Sequence, residues 1–495
     1  MRKLLALVLP LLVLTGLRAQ TIENINLLQT RGLHGTARFT GMGGAFTALG
    51  NDFSALHLNP AGAAVFRSDN IGFTLGFQSQ RDETNFLGGQ NRDSNFKLLW
   101  ENGGFVKNFG TRSQPVYFSI TLNKTADFKS RFSAQGINRY NANPESGFTI
   151  GEYWLAGVQD LSISQMESFG FFEEASAADA TVLLVDSIGA FTYDYWPDDA
   201  SNVRYIYEER GNADELQFSL ASRQSDKFYY GVSVAMPYLN YFNRTGLEES
   251  GYADSSFFDR VRLNRFNEVN GTGLNLKAGF IAKPVQWFRV GASYQSPTWY
   301  WVNEVYSLSV DGFSGGTSYR GTEYIFDNIR YTVRVPSIYR AGVAFVIAKS
   351  AVLSVDYEFS DPSRTTLNSR DGNNYLGAEN DYTEAVAATN TLRAGLEYRL
   401  GEVYLRGGYQ FAESNFIDKD FYQSDREHFS LGAGYKNRDF SLDIAYTWIN
   451  FNQSFVAHPY LGDNLTGEGV VNPERTLVRD DVWKGNIIIG ASFNF

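Results

Sequence analysis

The sequence predicts an all-β protein: a 14-stranded antiparallel transmembrane β-barrel with an N-terminal plug (hatch) and long external loops. Fourteen segments alternate apolar and polar residues, the pattern of a strand with one greasy and one wet face. The connections between these segments alternate between short and long, as in outer-membrane barrels. The last segment, 484–495, keeps its alternation up to the terminal Phe495. Together these features predict a barrel that closes on its C-terminal strand.

The N-terminus has the features of a secretory signal peptide, predicted over residues 1–19. Arg2 and Lys3 precede an apolar stretch at 4–17, and a plausible cleavage point follows at Ala19-Gln20. No later segment has the roughly eighteen consecutive apolar residues that a helical membrane span needs. The predicted location is the outer membrane of a Gram-negative cell.

The composition excludes several classes of site. The chain has no cysteine, so it holds neither a disulfide nor a thiolate metal site. Its net charge of −11 and its lack of a basic stripe argue against nucleic-acid binding. Aromatic residues make up 15% of the chain and 47 residues are glycine, which suits an aromatic-girdled barrel but also a secreted β-sandwich array. The connection lengths favour the barrel.

The predicted organisation is a signal peptide (1–19), a hatch (20–68) and a barrel (69–495) whose loop 126–213 carries a helical insertion. Strands are predicted at 71–80, 97–109, 115–125, 214–224, 227–241, 271–283, 286–299, 337–348, 351–360, 391–399, 402–411, 427–436, 439–449 and 484–495. Long loops are predicted at 81–96, 126–213, 242–270, 300–336, 361–390, 412–426 and 450–483, and short turns join the other strand pairs. Seven loops and six turns place both ends of the barrel in the periplasm.

Charges of both signs fall on one face of the predicted strands. Because a charge facing lipid at bilayer depth is costly, this face is predicted to line the lumen. The candidate lumen residues are Lys277, Arg289, Asp356, Glu358, Arg393 and Glu397. They form either a lattice of cross-strand ion pairs or a selectivity filter for charged solutes, and the mixed signs favour the lattice.

Seven glycines fall on the same inward face by parity: Gly231, Gly279, Gly291, Gly342, Gly395, Gly432 and Gly434. The missing side chains either make room for water, a plug or a ligand, or they allow the strands to bend as the barrel closes. The sequence leaves both explanations open.

The segment 31–62 precedes the first strand and is rich in glycine and small residues, with a short helix predicted at 45–50 or 53–58. It cannot form a core of its own, so it is predicted to fold inside the lumen as a plug. Its motifs Gly41-x-Gly43-Gly44 and Asn59-Pro60-Ala61 resemble the N-terminal hatch of the FadL-type outer-membrane transporters of long-chain fatty acids and hydrophobic compounds. Segments 236–241, 271–277, 296–300 and 353–358 also match the style of that family.

The resemblance covers essentially the whole mature chain, and it implies a fourteen-stranded barrel with Gly41, Gly43, Gly44, Asn59, Pro60 and Ala61 as hatch residues. It also implies passive transport without a cofactor: apolar external loops capture the solute, a lumen site receives it, and a shift of the hatch releases it. Family members release the solute sideways where the third strand kinks inward. In this sequence the second strand contains the glycines, at Gly103-Gly104, and the third contains none.

The loop 126–213 carries the candidates for ligand capture. Apolar residues recur at helical spacing over 150–168, and a second helix is predicted around 182–185. The candidate capture residues are Trp154, Leu155, Val158, Phe169, Phe171 and Phe172. The helices form either a groove for an acyl chain or a lid whose apolar residues bury one another. The acidic pairs Asp198-Asp199 and Asp480-Asp481 are interpreted as solvated loop charges, and no metal site is predicted.

The sequence predicts transport, not catalysis. His34, His57, His428 and His458 join no catalytic motif, and the chain has no Gly-x-Ser-x-Gly and no phosphate loop. The expected partners are a fatty-acid-like hydrophobic molecule, outer-membrane lipids and lipopolysaccharide, and the barrel assembly machinery, with no nucleic acid and a monomeric state. The alternatives are a secretion-accessory or structural outer-membrane barrel, and a porter of haem or another hydrophobic solute.

Overall fold

The structure, a computed structural model, describes residues 22–111, 115–139, 149–158, 161–185, 191–195, 200–372, 376–458 and 477–495. The predicted signal peptide and the pair Asp198-Asp199 lie outside these residues. The strands are β1 (Asn70–Phe86), β2 (Gly89–Asn108), β3 (Val116–Asp127), β4 (Ser130–Arg139), β5 (Leu184–Val185), β6 (Phe191–Thr192), β7 (Ala200–Ser225), β8 (Phe228–Ser250), β9 (Arg260–Val285), β10 (Phe288–Gln295), β11 (Thr298–Ser314), β12 (Thr317–Arg320), β13 (Tyr324–Val335), β14 (Ile338–Ile347), β15 (Ala351–Ser360), β16 (Thr366–Ser369), β17 (Thr389–Leu400), β18 (Val403–Ala412), β19 (Arg426–Lys436), β20 (Phe440–Val456) and β21 (Leu477–Asn494).

The helices are short and lie either inside the barrel or in its loops. They are α1 (Ile22–Leu27), α2 (Ala37–Gly41), α3 (Phe53–Leu58), α4 (Ile150–Val158), α5 (Ile163–Phe169), α6 (Phe172–Asp179) and α7 (Leu376–Ala385), with 3-10 turns η1 (Pro60–Val65) and η2 (Pro362–Arg364). Within the described ranges, no helix is long and apolar enough to cross a bilayer.

The sheet closes into a barrel because the first strand pairs with the last. β1 and β21 pair antiparallel from Asn70↔Asn494 to Asn85↔Arg479. The ladder runs β1–β2–β3–β7–β8–β9–β10–β14–β15–β17–β18–β19–β20–β21 and back to β1, which is fourteen antiparallel strands and confirms the predicted fold class. Asn70 and Asn494 lie at the end of the barrel that carries the tight turns, here called the short-turn end; the other is the long-loop end.

Several segments that were expected to be loops are paired strands instead. β1 and β2 continue through the predicted loop 81–96 to a two-residue turn at Leu87-Gly88, where φ is 45° and 77°. The ladders of β8, β9, β11 and β13 likewise occupy most of 242–270 and 300–336. The loop prediction is wrong there because the outward side chains become polar, as at Ser79 and Arg81. The hydrophobic alternation therefore ends while the backbone ladder continues.

The outer wall carries a band of exposed apolar side chains, here called the belt. On β1 it includes Ile71 and Phe73 and ends before Ser79. On the neighbouring strands its edge toward the long loops is marked by Trp483 and Trp448, whose rings stack at 5.9 Å. Such a belt with an aromatic rim is the surface that a lipid bilayer requires of a barrel.

The hatch lies inside the barrel and runs almost its full length. α1 lies toward the long-loop end, where Asn24 Nδ2 donates to Glu304 Oε1 at 2.8 Å. η1 packs against β7, β8 and β9 nearer the short-turn end. The helix predicted at 53–58 is confirmed as α3, which is capped by Asp52 through the N–H of Ser54 at 2.9 Å. The alternative at 45–50 forms turns.

The long loop covers the mouth of the barrel, and its helices α4, α5 and α6 with the hairpin β5–β6 are here called the lid. One apolar cluster joins the lid to the upper parts of β4, β7, β8, β9 and β11. The helical spacing predicted over 150–168 corresponds to α4 and α5. The second helix lies at α6 instead of 182–185, where Val182 and Leu183 are buried beside the short strand β5.

Candidate functional site

The inward-facing glycines of the wall receive the backbone of the hatch. A Cβ on Gly231 would lie 2.7 Å from the carbonyl carbon of Pro60, and one on Gly279, Gly291 or Gly395 would also come within 3.0 Å of a hatch atom. No real Cβ tolerates such an approach. These glycines therefore make room for the plug, which decides between the two explanations that the sequence left open.

The other three predicted glycines differ in what they face. Gly432 lies against Gly41, with its added Cβ 3.3 Å from the Gly41 Cα. Gly342 faces both Asp356 and Thr47 of the hatch. Gly434 faces Arg406 and Asp443 of the wall, so it does not serve the hatch directly. Gly408, which the sequence reasoning missed, lies against the N–H of Gly43.

Two hatch glycines need their conformation as well as their size. Gly43 and Gly44 have φ of +62° and +75°, which L side chains rarely adopt. A Cβ on Gly43 would also lie 2.7 Å from the backbone nitrogen of Tyr409 in β18. The Gly43-Gly44 pair thus forms a turn that lies directly on the wall.

The Asn59-Pro60-Ala61 motif joins two parts of the hatch to the wall. Asn59 Oδ1 accepts the N–H of Ala61 at 3.1 Å and so caps η1, with Pro60 in the first turn. Asn59 Nδ2 donates to the carbonyls of Thr47 at 2.9 Å and Phe280 at 3.0 Å. Because Asn59 is buried and uses both ends of its amide, it links the hatch turn, the hatch helix and β9.

Charged side chains of the wall hold the hatch at several heights. Glu397 receives two hydrogen bonds from Arg38, from Nε at 2.9 Å and from Nη2 at 3.0 Å. Asp356 Oδ2 accepts the N–H of Thr47 at 2.7 Å. Nearly all of the side chains involved are buried, so each contact acts with little screening from water.

A second group of contacts lies around α3. His57 Nδ1 lies 2.8 Å from Glu215 Oε1, and Lys277 pairs with the same carboxylate while donating to the His57 carbonyl at 3.0 Å. Higher in the lumen, His34 Nδ1 lies 2.9 Å from Glu101 Oε2. Hatch histidines therefore meet wall carboxylates at two levels.

The remaining predicted lumen residues form wall ion pairs that also reach the hatch. Glu358 accepts from Arg340 at 2.7 Å and Arg393 at 3.1 Å, and Arg31 of the hatch lies 3.8 Å away. Arg289 donates to the Leu49 carbonyl at 3.4 Å. The structure thus places all six predicted residues on the inner wall, where they serve a cross-strand lattice and the docking of the hatch together.

A cavity of about 190 Å³, here called the upper cavity, lies between the hatch and the long-loop end. Its lining combines aromatic and aliphatic side chains with polar and charged ones. The lining includes Leu27, Phe128, Tyr207, Tyr241, Phe416, Tyr422, Ile449, Phe451 and Phe455, together with Glu23, His34, Glu209, Arg426, His428 and Lys484. None of these residues was singled out as a binding residue from the sequence, because they come from strands far apart in the chain.

Two cations of the upper cavity form no ion pair within the described part of the chain. Arg426 and Lys484 both lie over the ring of Phe451, at 5.2 and 5.4 Å from its centre. Arg426 begins β19 beyond the belt, donates to the Arg31 carbonyl at 3.4 Å and also contacts Gln423. Burial lowers the pKa of Arg426 to about 10, so it is still cationic at neutral pH. The cavity therefore offers positive charge beside an apolar wall.

The wall beside the upper cavity is incompletely hydrogen-bonded. The ladder between β2 and β3 ends at Asn102↔Asn123. Above it the two edges are joined by side chains, with Asn95 donating to the Arg131 carbonyl at 3.0 Å and Lys97 to the Lys129 carbonyl at 2.9 Å. This seam holds a cavity of about 660 Å³ that shares wall residues with the upper cavity. The third strand is interrupted after Asp127 although it contains no glycine. Searching the sequence for a glycine in that strand therefore could not find this break.

The candidate capture residues are mostly inside the lid. Trp154 and Val158 are fully buried in its cluster, and Phe172 packs on Tyr324 and Phe326 at 5.2 and 4.9 Å. Leu155 and Phe171 are partly buried, whereas Phe169 is 49% exposed. The structure therefore places Trp154 and Val158 in a core that is closed to ligand.

One buried carboxylate fastens the lid to the barrel. Glu173 accepts from Arg265 Nε at 3.1 Å and Nη2 at 2.6 Å, and His458 Nε2 lies 3.1 Å away. Burial alone would raise the pKa of Glu173, but Arg265 and His458 lower it well below the usual range. Glu173 is therefore ionised and joins α6 to β9 and to the segment that follows β20.

No protein-family model matches the sequence, and no curated protein matches it. Among solved structures, a Pseudomonas aeruginosa FadL homologue has a TM-score of 0.53 at 14% identity, covering 94% of this chain and 99% of that chain. The P. putida toluene transporter TodX has a TM-score of 0.49 at 12% identity, covering 94% and 99%. The CymD monoaromatic hydrocarbon channel has a TM-score of 0.46 at 12% identity, covering 94% and 98%. The likeness to the FadL homologue shows a shared fold over nearly the whole of both chains.

Proposed function

We propose that this chain, a barrel with the fold of the FadL homologue, is a passive outer-membrane transporter of long apolar molecules with a small anionic head, such as long-chain fatty acids. The observation that carries the proposal is the upper cavity, in which Arg426 and Lys484 form no ion pair among the described residues and lie over the ring of Phe451. A half-buried cation that forms no ion pair gains from a bound anion, so an anionic head would be stabilised here. The aromatic wall takes up the chain of the same molecule.

The path beyond the upper cavity runs sideways in this proposal, because hatch backbone below it packs directly on wall glycines such as Gly231 and Gly395. The upper cavity and the seam share Asp127 and Glu209 in their linings. Among the residues that the structure describes, the side chains of Lys97 and Asn95 join the two edges of the wall at that point. Breaking these bonds requires no rupture of a backbone ladder. Movement of the hatch at His34, which contacts Glu101 of β2, couples the plug to this wall.

The belt is proposed to lie among outer-membrane lipids and lipopolysaccharide, with the short-turn end toward the periplasm and the barrel assembly machinery inserting a monomer. Capture is assigned to the outer surface of the lid, where Phe169 is exposed and Leu155 and Phe171 are partly exposed. The solute moves by diffusion down its own concentration gradient, without coupling to an energy source.

Binding of matched ligands tests the proposal. We expect the purified barrel to bind a fluorescent C16 fatty acid more tightly than the corresponding neutral alcohol. Arg426→Gln with Lys484→Gln should remove that preference, weakening fatty-acid binding by roughly tenfold to a hundredfold. Arg438→Gln, at the short-turn end, is the matched control and should change neither affinity. Binding of neither ligand to the wild type would overturn the proposal and favour the secretion-accessory alternative.

A further inference from the structure

Two aspartates are fully buried on the inner wall where the barrel closes. Asp82 lies on β1 and Asp480 on β21, and both are 0% exposed. In the register of these strands Thr84 stands opposite Asp480. The interpretation of Asp480-Asp481 as a solvated pair is therefore wrong, because strand alternation turns Asp480 inward and leaves Asp481 on the outer face. The outward neighbours Arg81 and Arg479 place this site beyond the belt.

Neither carboxylate has a cationic partner in the described part of the chain. Asp82 accepts from Gln80 Nε2 at 2.6 Å and from Asn95 at 3.4 Å, and Asp480 accepts from Gln453 Nε2 at 2.9 Å. No hydrogen bond joins the two carboxyl groups among those described. Lys484, the nearest cation on this face, lowers the cost of ionisation without forming an ion pair. Neutral amides alone compensate ionised carboxylates poorly at a fully buried position, so both groups ionise together only beside a further cation.

Three buried oxygens along this part of the closure have no hydrogen-bond partner. Asp480 Oδ1, Gln80 Oε1 and Thr84 Oγ1 are buried and have no partner. The Gln80 amide touches Asp82, and Thr84 stands across the ladder from Asp480. Two buried carboxylates, with one unpaired carboxylate oxygen and an unpaired hydroxyl beside it, match the preference of a hard cation for oxygen ligands.

We propose that Asp82 and Asp480 bind a calcium ion, with Thr84 Oγ1 as a neutral ligand and water completing the shell. The described residues contain no group of three or more His, Asp or Glu placed to share a metal, so the site has only two charged ligands. Calcium accepts amide, hydroxyl and water oxygens in irregular geometry, whereas magnesium demands a near-ideal octahedron. The low ligand charge and Lys484 point to a dissociation constant on the order of 10⁻⁴ to 10⁻³ M, as in extracellular calcium modules.

The ion would lie between the first and the last strand of the barrel, where it would have a structural role. β1 and β21 are the first and last strands of the barrel, and the ion joins one carboxylate from each. It would therefore clamp the closure of the wall at the long-loop end. This inference does not depend on the transported solute.

Calorimetry and thermal unfolding of the full-length barrel test the site. After treatment with EGTA, the wild type is titrated with CaCl2 and, separately, with MgCl2. We expect binding of one calcium ion, weaker binding of magnesium, and a calcium-dependent rise in Tm. Asp82→Asn and Asp480→Asn should abolish both calcium effects, whereas Asp481→Asn, on the opposite face of the same strand, should keep them.

Two results would overturn the proposal. One is a wild-type barrel that shows neither calcium binding nor a calcium-dependent Tm. The other is an Asp480→Asn barrel that binds calcium as the wild type does. Should the carboxylate variants fail to reach the folded, heat-modifiable form, Thr84→Val keeps both charges and should still reduce the calcium-dependent rise in Tm. An unchanged rise in that variant would contradict the assigned ligand set.

Discussion

The side chain of Asn59 occupies the space in which a Cβ on Gly279 would stand. Gly279 lies on β9, and the Asn59 amide donates to the neighbouring Phe280 carbonyl at 3.0 Å. The hatch motif and the wall glycine are thus two halves of one contact between distant parts of the chain. The same relation recurs between Gly231 and Pro60 and between Gly395 and Met42. The hatch packs against the wall where glycines leave space for its atoms, and ion pairs hold it at other positions.

Gly279→Val is expected to dislodge the hatch and to produce a stable ion conductance in planar bilayers. The added side chain would overlap Asn59, so the plug and the wall cannot both keep their positions. Gly407→Val is the matched control, because a Cβ there meets nothing closer than 4.0 Å. A silent Gly279→Val channel in a correctly folded barrel would show that this contact does not hold the hatch.

Glu397→Gln should weaken the docking of the hatch by about 3 kcal/mol, since it leaves Arg38 and Arg406 without a shared carboxylate. The expected result is frequent opening in bilayer recordings and faster proteolysis of residues 22–66. Glu427→Gln, which removes only an exposed contact with Tyr409, provides the comparison. Identical recordings from the two variants would argue against a latch at Glu397.

Variants of Trp154 and Phe169 are expected to distinguish the folding of the lid from the capture of the ligand. Trp154→Ser opens a buried site in the lid and should destabilise it by about 3–5 kcal/mol, seen as early cleavage of the loop by a protease. Phe169→Ser removes an exposed ring and should leave the cleavage unchanged while weakening ligand binding at low concentration. Normal binding by Phe169→Ser would mean that capture occurs elsewhere.

Phe495→Asp should reduce the amount of folded barrel in the outer membrane. Phe495 is exposed at the end of the closing strand and stacks on Phe105 of β2 at 6.2 Å, so the change puts a charge at the edge of the belt. Phe495→Tyr keeps the ring and should insert normally. The measurement is the heat-modifiable fraction in outer-membrane preparations, and equal fractions would contradict the expectation.

Without calcium, the stability of the barrel is expected to fall as the pH rises from about 4 to about 8. Burial, with Asp82 nearby, raises the pKa of Asp480 from 3.8 to about 8. The folded state therefore holds a proton that the unfolded chain releases within this window. Thermal unfolding in EGTA at several pH values measures the effect, and Asp480→Asn should make the fall shallower. A residual fall stays in the variant, because burial also raises the pKa of Glu174 in the lid to about 8. A wild-type fall as shallow as that of the variant would contradict a buried, titrating Asp480.

The sequence predicts features that depend on local alternation, and it misses those that depend on register between distant strands. The fourteen strands and the inward parity of Gly231 and Gly279 follow from a period of two. The approach of Asp82 and Asp480, and that of Arg426 and Lys484 to the same Phe451 ring, depend on which strands become neighbours, which no local pattern contains. The helical spacing around Trp154 is real, but the same spacing describes a buried face and an open groove.

Uptake of a long-chain fatty acid tests the central claim most directly. Cells that lack their own transporter would be supplied with this chain or with its Arg426→Gln and Lys484→Gln double variant, at matched amounts of folded barrel. A radiolabelled C16 fatty acid and its neutral alcohol are then compared. The account predicts fatty-acid uptake by the wild type and its loss in the double variant. Equal fatty-acid uptake by both proteins, or none by the wild type, would contradict it.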